Sequence, residues 1–434
     1  MGLFTNYSFQ LTWQRRIAPR EFRRYGLHMA SNRALFSLQS LIVLTTCVFL
    51  FGMGQFHRAA GAIVAPVWQT QFSLSADQLG FVISAIFIVN IIAQGFIGTL
   101  LDKNGPRLVI SAFLIILALG TLSCIYAHSF VSLVIARIVL GIGLSVGGVG
   151  MYMLLARNFP ADQFGFLNGL MVTLGGIGGL AATYPLAFVI DRFGWTHVFV
   201  GLSVFTAVLA LVIFATGQRE PRETKTTLKT KITFLSLLKT KNLHPIFLMA
   251  FVTWAPITCI TGLWGGPYFK AVHGLSLSET GLFQMLFFAA TMTSGTVFGL
   301  IDKYTQISRY TVILTASAVS VLCLGIIALT DALPLYVAAA LLFVMVFSQQ
   351  FYVPLIAQLR DLVPDAAIGR ASSLYTIIAV AAIPTFQALF GIVIQSARKF
   401  DPETSYQIAF AGMALLILIP SLIFATLPAA KNPQ

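Results

Sequence analysis

The sequence predicts an all-helical membrane protein whose twelve transmembrane helices form two six-helix bundles. Of the 434 residues, 57% are hydrophobic and only 9% are charged, and the mean hydropathy is +0.87. Soluble domains carry about 25% charged residues, so this composition excludes a water-soluble protein. It also excludes disorder, which requires low hydrophobicity and high charge. The apolar runs are long enough for helices that span a bilayer, and the short alternating segments of a transmembrane β-barrel are missing from the sequence.

Residues 1–34 are predicted to form a polar, cytoplasmic arm. The arm contains one acid, Glu21, and six arginines: Arg15, Arg16, Arg20, Arg23, Arg24 and Arg33. Such an arginine-rich start is typical of a transit peptide or of the segment that precedes the first transmembrane helix of a bacterial protein. The first apolar run is far longer than the 7–15 residues in the core of a cleaved signal peptide.

Twelve apolar runs long enough to span a bilayer follow the arm. They lie near 38–64, 79–101, 108–126, 131–155, 166–188, 197–217, 246–268, 279–301, 310–330, 333–356, 371–395 and 405–427. The longest connection, 218–245, holds seven Lys and Arg residues. We interpret it as a basic cytoplasmic linker between an N-terminal bundle, 35–217, and a C-terminal bundle, 246–427. Residues 428–434 are predicted to form a cytoplasmic tail.

The distribution of basic residues predicts the orientation in the membrane. With the N-terminus in the cytoplasm, the cytoplasmic segments carry 21 of the 27 Lys and Arg residues and the outer loops carry four. The positive-inside rule therefore places both termini in the cytoplasm. The expected location is the inner (plasma) membrane of a bacterium.

The two halves of the sequence repeat. Asp102-Lys103 follows the second helix, and Asp302-Lys303 follows the eighth helix 200 residues later. The connection between helices 4 and 5 and the one between helices 10 and 11 share an Arg, a Pro and a Gly, which are Arg157, Pro160 and Gly165 in the first and Arg360, Pro364 and Gly369 in the second. Many secondary transporters are built from such duplicated halves.

The loop after helix 2 carries a motif of glycines and charges. It runs from Gly98 through Asp102, Lys103 and Gly105 to Arg107, and it resembles the signature loop of the major facilitator superfamily. The resemblance extends over about 38–427. It implies two bundles that rock around a central site, with gating or structural roles for Gly98, Asp102, Lys103, Gly105, Arg107, Arg137 on helix 4 and Asp302 in the second copy. We expect close backbone approach and tight turning at the two glycines, and the cations Lys103 and Arg107 beside Asp102.

The charged groups inside the apolar runs point to an anionic ligand. His57, Arg58 and Arg137 lie within runs, and every acid lies at a helix end, in a loop or in the terminal arm. An arginine at mid-membrane costs about 2.5–3.5 kcal/mol on insertion scales and needs water, a partner or a ligand. The stretch Gln55-Phe56-His57-Arg58 resembles the helix-1 motif of organic-anion symporters of the superfamily, which implies that Arg58 binds a substrate carboxylate. Snorkelling of Arg58 to headgroups is the alternative, and Arg137 is favoured for helix–helix hydrogen bonding.

Other polar residues at spanning depth are candidates to line the substrate site. Together with Arg58, His57 and Gln55, the predicted substrate-binding residues are Asn90, Gln94, Trp254, Thr261, Gln284, Gln349 and Tyr375. Asn90 and Gln94 lie four residues apart and share a helix face. Trp264 is expected either to stack on substrate or to belong to the outer aromatic belt.

The predicted function is secondary active transport of a small organic anion or zwitterion: a carboxylate, an amino acid or a phosphate ester. Moving one charge across 100 mV is worth about 2.3 kcal/mol. Anion uptake into a negative cytoplasm therefore needs a co-transported cation, whereas anion export runs downhill. Symport with a proton is consistent with His57, which could carry that proton because imidazole titrates near neutral pH.

Three alternatives stay open on sequence. The first is a multidrug or siderophore exporter of the same fold, which the missing helix-5 Gly-Pro motif disfavours. The second is a nutrient receptor with a transporter fold. The third, a membrane-embedded enzyme, needs clustered His, Asp or Glu residues that the sequence does not show. We expect a monomer that contacts the lipid bilayer and a small-molecule substrate, with no enzymatic activity, cofactor, metal or nucleic-acid partner. The four cysteines fall in different apolar runs and form no CxxC pair.

Overall fold

A computed structural model describes residues 38–216 and 234–426 of the chain. These residues form helices and no strand, in agreement with the predicted all-helical fold. The predicted arm, 1–34, and the tail, 428–434, lie outside the described residues, as does most of the predicted linker. Residues 38–45 belong to a separate compact unit, 1–45, and form the start of the first helix. All contacts of the candidate site lie within the second unit, 46–434.

Twelve segments of the described chain are long and apolar enough to cross a membrane, as predicted. Those of the first half comprise α1 (Leu38–Ala59), α2 (Gly61–Gln71), α3 (Ala76–Asn104), α4 (Pro106–Ile125), α5 (Phe130–Leu144), α6 (Val146–Asn158), α7 (Ala161–Ala181), α8 (Tyr184–Phe193) and α9 (Trp195–Thr216).

The second half begins with the short helix α10 (Phe234–Leu238) and a 3₁₀ turn, Lys241–Leu243. Its spans comprise α11 (His244–Cys259), a π-helical turn (Ile260–Trp264), α12 (Gly265–His273), α13 (Leu277–Tyr304), α14 (Arg309–Leu329), α15 (Leu335–Ser348), α16 (Tyr352–Asp361), α17 (Asp365–Ser396) and α18 (Pro402–Ala425).

Five of these spans are interrupted in the described chain. The first, fourth, fifth, seventh and tenth spans each consist of two helices, and the first helical segment reaches Gln71 instead of residue 64. Irregular backbone at membrane depth is tolerated where protein satisfies its polar groups. At one break the Ser145 hydroxyl donates to the Ile142 carbonyl at 2.6 Å. The break at Ala60 and the π-helical turn from Ile260 lie 200 residues apart, so the internal repeat extends to the breaks.

The two halves touch closely at one end of the unit, the distal end, which holds the loops at Ser75, Gly274 and Asp401. The opposite end, with Gly105 and Pro364, is the proximal end. Distal contacts are made by glycines: a Cβ on Gly266 would overlap the Ala62 carbonyl, and a Cβ on Gly61 would overlap the Gly262 carbonyl. Only a residue without a side chain permits such close backbone approach. The positions of these glycines in the sequence therefore determine where the two halves can come into contact.

Candidate substrate-binding site

Arg58 lies in the last turn of α1 and is half-buried. Its Nη1 donates to the carboxamide oxygen of Gln55 at 3.3 Å, as the i, i+3 spacing of a helix allows. None of the ion pairs found among the described residues involves Arg58. The guanidinium therefore keeps most of its five donors available.

His57, next to Arg58, is buried with 1% of its surface exposed. Its Nε2 atom has no hydrogen-bond partner among the described residues, and its ring lies edge-on to the Phe56 ring at 5.7 Å. The guanidinium of Arg137 lies within electrostatic range of the imidazole. A buried, unsatisfied ring nitrogen is a place where a proton, water or ligand atom would be stabilised.

Arg137 on α5 is 2% exposed. Its Nε and Nη2 atoms donate to the carbonyl oxygens of Val82 and Ile83 on α3, each at 3.4 Å. The guanidinium also lies 5.4 Å from the Trp68 ring centroid, a distance at which the ring face attracts a cation. These contacts join helices and account for the burial of Arg137 without a ligand.

A second group of predicted site residues surrounds residues 252–254 of α11. The Gln349 carboxamide donates to the Val252 carbonyl at 2.5 Å, and the Trp254 ring packs against Tyr352 at 5.3 Å. Tyr375 is 1% exposed, and its hydroxyl lies within electrostatic range of Tyr352. Sequence reasoning missed Tyr352, although a tyrosine just after a pair of glutamines in an apolar run is a usable signal.

A third group lies where α1 meets the π-helical turn. A Cβ on Gly262 would lie 3.1 Å from the Arg58 carbonyl oxygen and 3.5 Å from the Gln387 Nε2. Gln387 on α17 is fully buried, donates to the Thr258 carbonyl at 3.3 Å and keeps an unpartnered carboxamide oxygen. Thr261, predicted to contact substrate, donates to the Ile257 carbonyl of its own helix. Gln387 was missed, although it is a glutamine inside an apolar run.

Gln284, Asn90 and Trp264, which the sequence also singled out, are buried. Gln284 is 1% exposed, packs over Gly265, and leaves both carboxamide atoms without a partner among the described residues. Asn90 on α3 is 3% exposed, and the side chain of Gln94 lies outside the described part of the chain. Trp264 is 1% exposed and donates to the Gln387 carbonyl at 3.0 Å. Its predicted place in an outer aromatic belt was therefore wrong.

The motif loop at the proximal end also differs from its prediction. Asp102 pairs with Arg157 on α6 at 3.2 Å, whereas Lys103 is exposed and the Arg107 guanidinium lies 4.7 Å from the Phe214 ring. The expected grouping of Lys103 and Arg107 around Asp102 was wrong, because the cation comes from another span. In the second half, Arg309 binds Asp302 at 2.5 Å and also reaches Asp361.

The two motif glycines have different outcomes. Gly105 ends α3 with φ of +78°, a backbone conformation that favours glycine, as the predicted tight turn requires. The predicted close backbone approach at Gly98 was wrong in this conformation, since no described atom lies within 4 Å of the position that its Cβ would take.

Twelve apolar helices with buried cations define a polytopic integral membrane protein. Residues 44–386 match the family model described as the Major Facilitator Superfamily. The match covers more than half of the chain, and the chain belongs to this superfamily.

Curated relatives of the chain are transporters of small solutes. The chain is 24% identical over 400 residues to the "Hexuronate transporter" of Bacillus subtilis. The aligned region covers 85% of this chain and 91% of that protein. It is 28% identical over 172 residues to the "Niacin transporter NiaP" of Acinetobacter baylyi, over 39% of each chain.

Solved structures agree with the fold. A bacterial homologue of the human lysosomal transporter Spinster, inward-facing and unoccupied, superposes with a TM-score of 0.75 at 18% identity and covers 89% of this chain and 96% of that one. A D-xylose-proton symporter superposes with a TM-score of 0.71 at 18% identity. The superposition covers 91% of this chain and 99% of the symporter. The chain is therefore an integral membrane transporter of small solutes with the superfamily fold.

Proposed function

We propose that this protein is a secondary active transporter that moves a small organic anion by alternating access, with Arg58 as the anchor of a substrate carboxylate. The observation that supports the proposal is a half-buried guanidinium whose one described hydrogen bond goes to a neutral side chain, Gln55. Desolvating a cation without a counter-charge is unfavourable. An anionic ligand with two oxygens in one plane matches the paired donors of a guanidinium and would compensate that penalty.

The names of the relatives support a carboxylate within the wider class of anions and zwitterions. Hexuronate is a sugar carboxylate and niacin is a pyridine carboxylate, and both names belong to transporters similar to this chain. The buried carboxamides of Gln349 and Gln387 keep acceptor oxygens without partners among the described residues. Such acceptors suit hydroxyl groups on the non-ionic part of a substrate.

The packing of the halves supports alternating access. Their close contacts at the distal end are backbone contacts at glycines. The ion pairs Asp102–Arg157 and Arg309–Asp302 at the proximal end each lie within one half. Rigid halves with a closable contact at one end suit a rocking motion around a central site. We further propose that both termini face the cytoplasm of a bacterial inner membrane, on the distribution of basic residues, so that the distal end faces outward.

The test of the anchor is transport by purified protein in proteoliposomes, with radiolabelled glucuronate and nicotinate as probes. Loss of a charge-assisted hydrogen-bond pair, worth about 1.5–3 kcal/mol, should weaken substrate binding by roughly tenfold or more in Arg58→Gln. Arg192→Gln is the matched control, because that arginine is exposed and stacks on Phe188. Equal transport by wild type and Arg58→Gln would remove Arg58 from the mechanism.

Proton coupling through His57 is a finer part of the proposal. The buried ring has an unpartnered Nε2, so an anion bound next to the ring would favour the charged imidazole. The test is concentrative uptake driven by an inward proton gradient in wild type and His57→Asn. Unchanged gradient-driven accumulation in the variant would exclude His57 as the proton carrier.

A further inference from the structure

A cavity of about 590 Å³ lies at the distal end, away from Arg58. The first half lines it with residues around the loop between α2 and α3, including Gln69 and Ser75. The second half lines it with Lys270 from α12 and with Arg398 from the loop after α17. We call this space the distal cavity. Since loops from both halves surround it, the cavity opens at the membrane surface and not into the lipid interior.

The distal cavity is electropositive. Neither Lys270 nor Arg398 takes part in the ion pairs found among the described residues, and both side chains are exposed. No acid is among the described residues that line the cavity. The neighbouring carboxylates of Asp77 and Asp401 accept hydrogen bonds from Ser75 and Thr404. Two uncompensated cations in one concave space attract an anion.

The hydroxyl of a largely buried tyrosine adds a directional donor to the same cavity. Tyr406 is 5% exposed, lines the cavity, and makes no hydrogen bond through its hydroxyl with the described residues. Its ring is held by Tyr268 and Phe410, with centroids 5.4 Å and 6.5 Å away. Because the ring is held in place, the hydroxyl is available as a hydrogen-bond donor to a molecule in the cavity.

We propose that the distal cavity is a second anion site, which binds a small free oxyanion (a carboxylate or inorganic phosphate) through Lys270, Arg398 and the Tyr406 hydroxyl. The inference extends the proposed function, because a carboxylate substrate would meet this site at the mouth before it meets Arg58. The site is completed by both halves, and the Gln395 carboxamide accepts from the Ala76 amide across the same junction at 3.3 Å. A ligand that contacts both halves favours the conformation in which the distal end is closed.

The experiment is calorimetric titration of the full chain in neutral detergent with sodium glucuronate and, separately, sodium phosphate at constant ionic strength. Arg58→Gln is the working background, because it removes the proposed central anchor and leaves the distal cavity intact. We expect residual binding in this background. Lys270→Gln with Arg398→Gln should weaken it by roughly tenfold or more, and Tyr406→Phe by about tenfold. Arg192→Gln is the matched control, since Arg192 lies over the Phe188 ring and neither residue lines the cavity.

Each outcome separates the two proposals. Binding in wild type that Arg58→Gln abolishes would overturn the distal site and leave the central anchor standing. Residual binding that survives the Lys270 and Arg398 replacements would also overturn it. The distal site as a site for a free oxyanion would also be overturned if binding to Arg58→Gln were detected only after anionic lipid is added, because the ligand would then be a lipid headgroup. Absence of glucuronate and phosphate binding to all forms would overturn both sites.

Discussion

The first and second halves of this transporter share a backbone plan and differ in their polar chemistry. The first half holds two cations and an imidazole within its spans: Arg137 and His57 are buried and Arg58 is half-buried. The described spans of the second half bury carboxamides, at Gln349 and Gln387. The duplication therefore preserved the helices and the breaks of two pairs of spans, the first with the seventh and the fourth with the tenth. The side chains diverged into a positive half and a neutral, hydrogen-bonding half.

The difference suggests a division of labour in recognition. A guanidinium discriminates by charge, because its donors are always ionised. A carboxamide discriminates by hydrogen-bond geometry and accepts neutral partners. A substrate that spans the interface would then place its carboxylate against the first half and its hydroxyls or ring against the second.

The largest expected effect comes from breaking the contact between the halves. In Gly266→Val the new side chain would overlap the Ala62 carbonyl, and overpacking of this kind costs about 1–3 kcal/mol. The distal-closed state should lose population by roughly tenfold or more, which should slow glucuronate uptake in proteoliposomes. Gly325→Val is the control, since no described atom lies within 4 Å of its Cβ position. Equal rates in the two variants would show that the halves do not close at Gly266.

Comparing an acidic substrate with its neutral amide tests whether the first half recognises charge and the second half recognises hydrogen-bonding groups. Wild type should prefer glucuronate over glucuronamide, and Arg58→Gln should lose about tenfold of that preference. Gln349→Leu removes the hydrogen bond to the Val252 carbonyl, so it should lower stability by about 1 kcal/mol and keep the preference for the acid. The measurement is competition by each compound against labelled substrate. A loss of charge preference in Gln349→Leu would erase the distinction between the halves.

A smaller effect distinguishes the charge pairs at the proximal end. Arg309 contacts both Asp302 and Asp361, and the Asp302 side chain is 22% exposed. Asp102 has Arg157 as its described partner and is 57% exposed. Exposed pairs contribute about 0–1 kcal/mol, so Asp302→Asn should lower the thermal midpoint more than Asp102→Asn. Thermal unfolding in detergent measures the two midpoints. A lower midpoint for Asp102→Asn than for Asp302→Asn would show that the charge pair of the first half stabilises the protein more.

The smallest effect concerns the final span of the second half. Hydrogen bonds from the Thr404 amide and hydroxyl lower the pKa of Asp401 below its ordinary value of 3.8. The carboxylate therefore stabilises the fold above that value, and this contribution disappears as the pH falls through the lowered pKa. Asp401→Asn, which can still cap the helix, should flatten this part of the stability profile between about pH 5 and 3. If the stability of the variant falls with decreasing pH as steeply as that of wild type, the Asp401 carboxylate does not make this contribution.

The sequence by itself determined the membrane class, the twelve spans, the repeat and the candidate cations. These features are local: a span needs only length and hydropathy, and a motif needs only neighbouring residues. The tertiary structure decided which side chains meet, such as Asp102 with Arg157 and Gln387 with Thr258, and where Tyr352 and the distal cavity lie. In lipid every face of a helix is apolar, so the sequence carries no amphipathic stripe that marks the partner of each span. Small residues and single hydrogen bonds choose the neighbours instead, and their consequences appear only when the helices are packed.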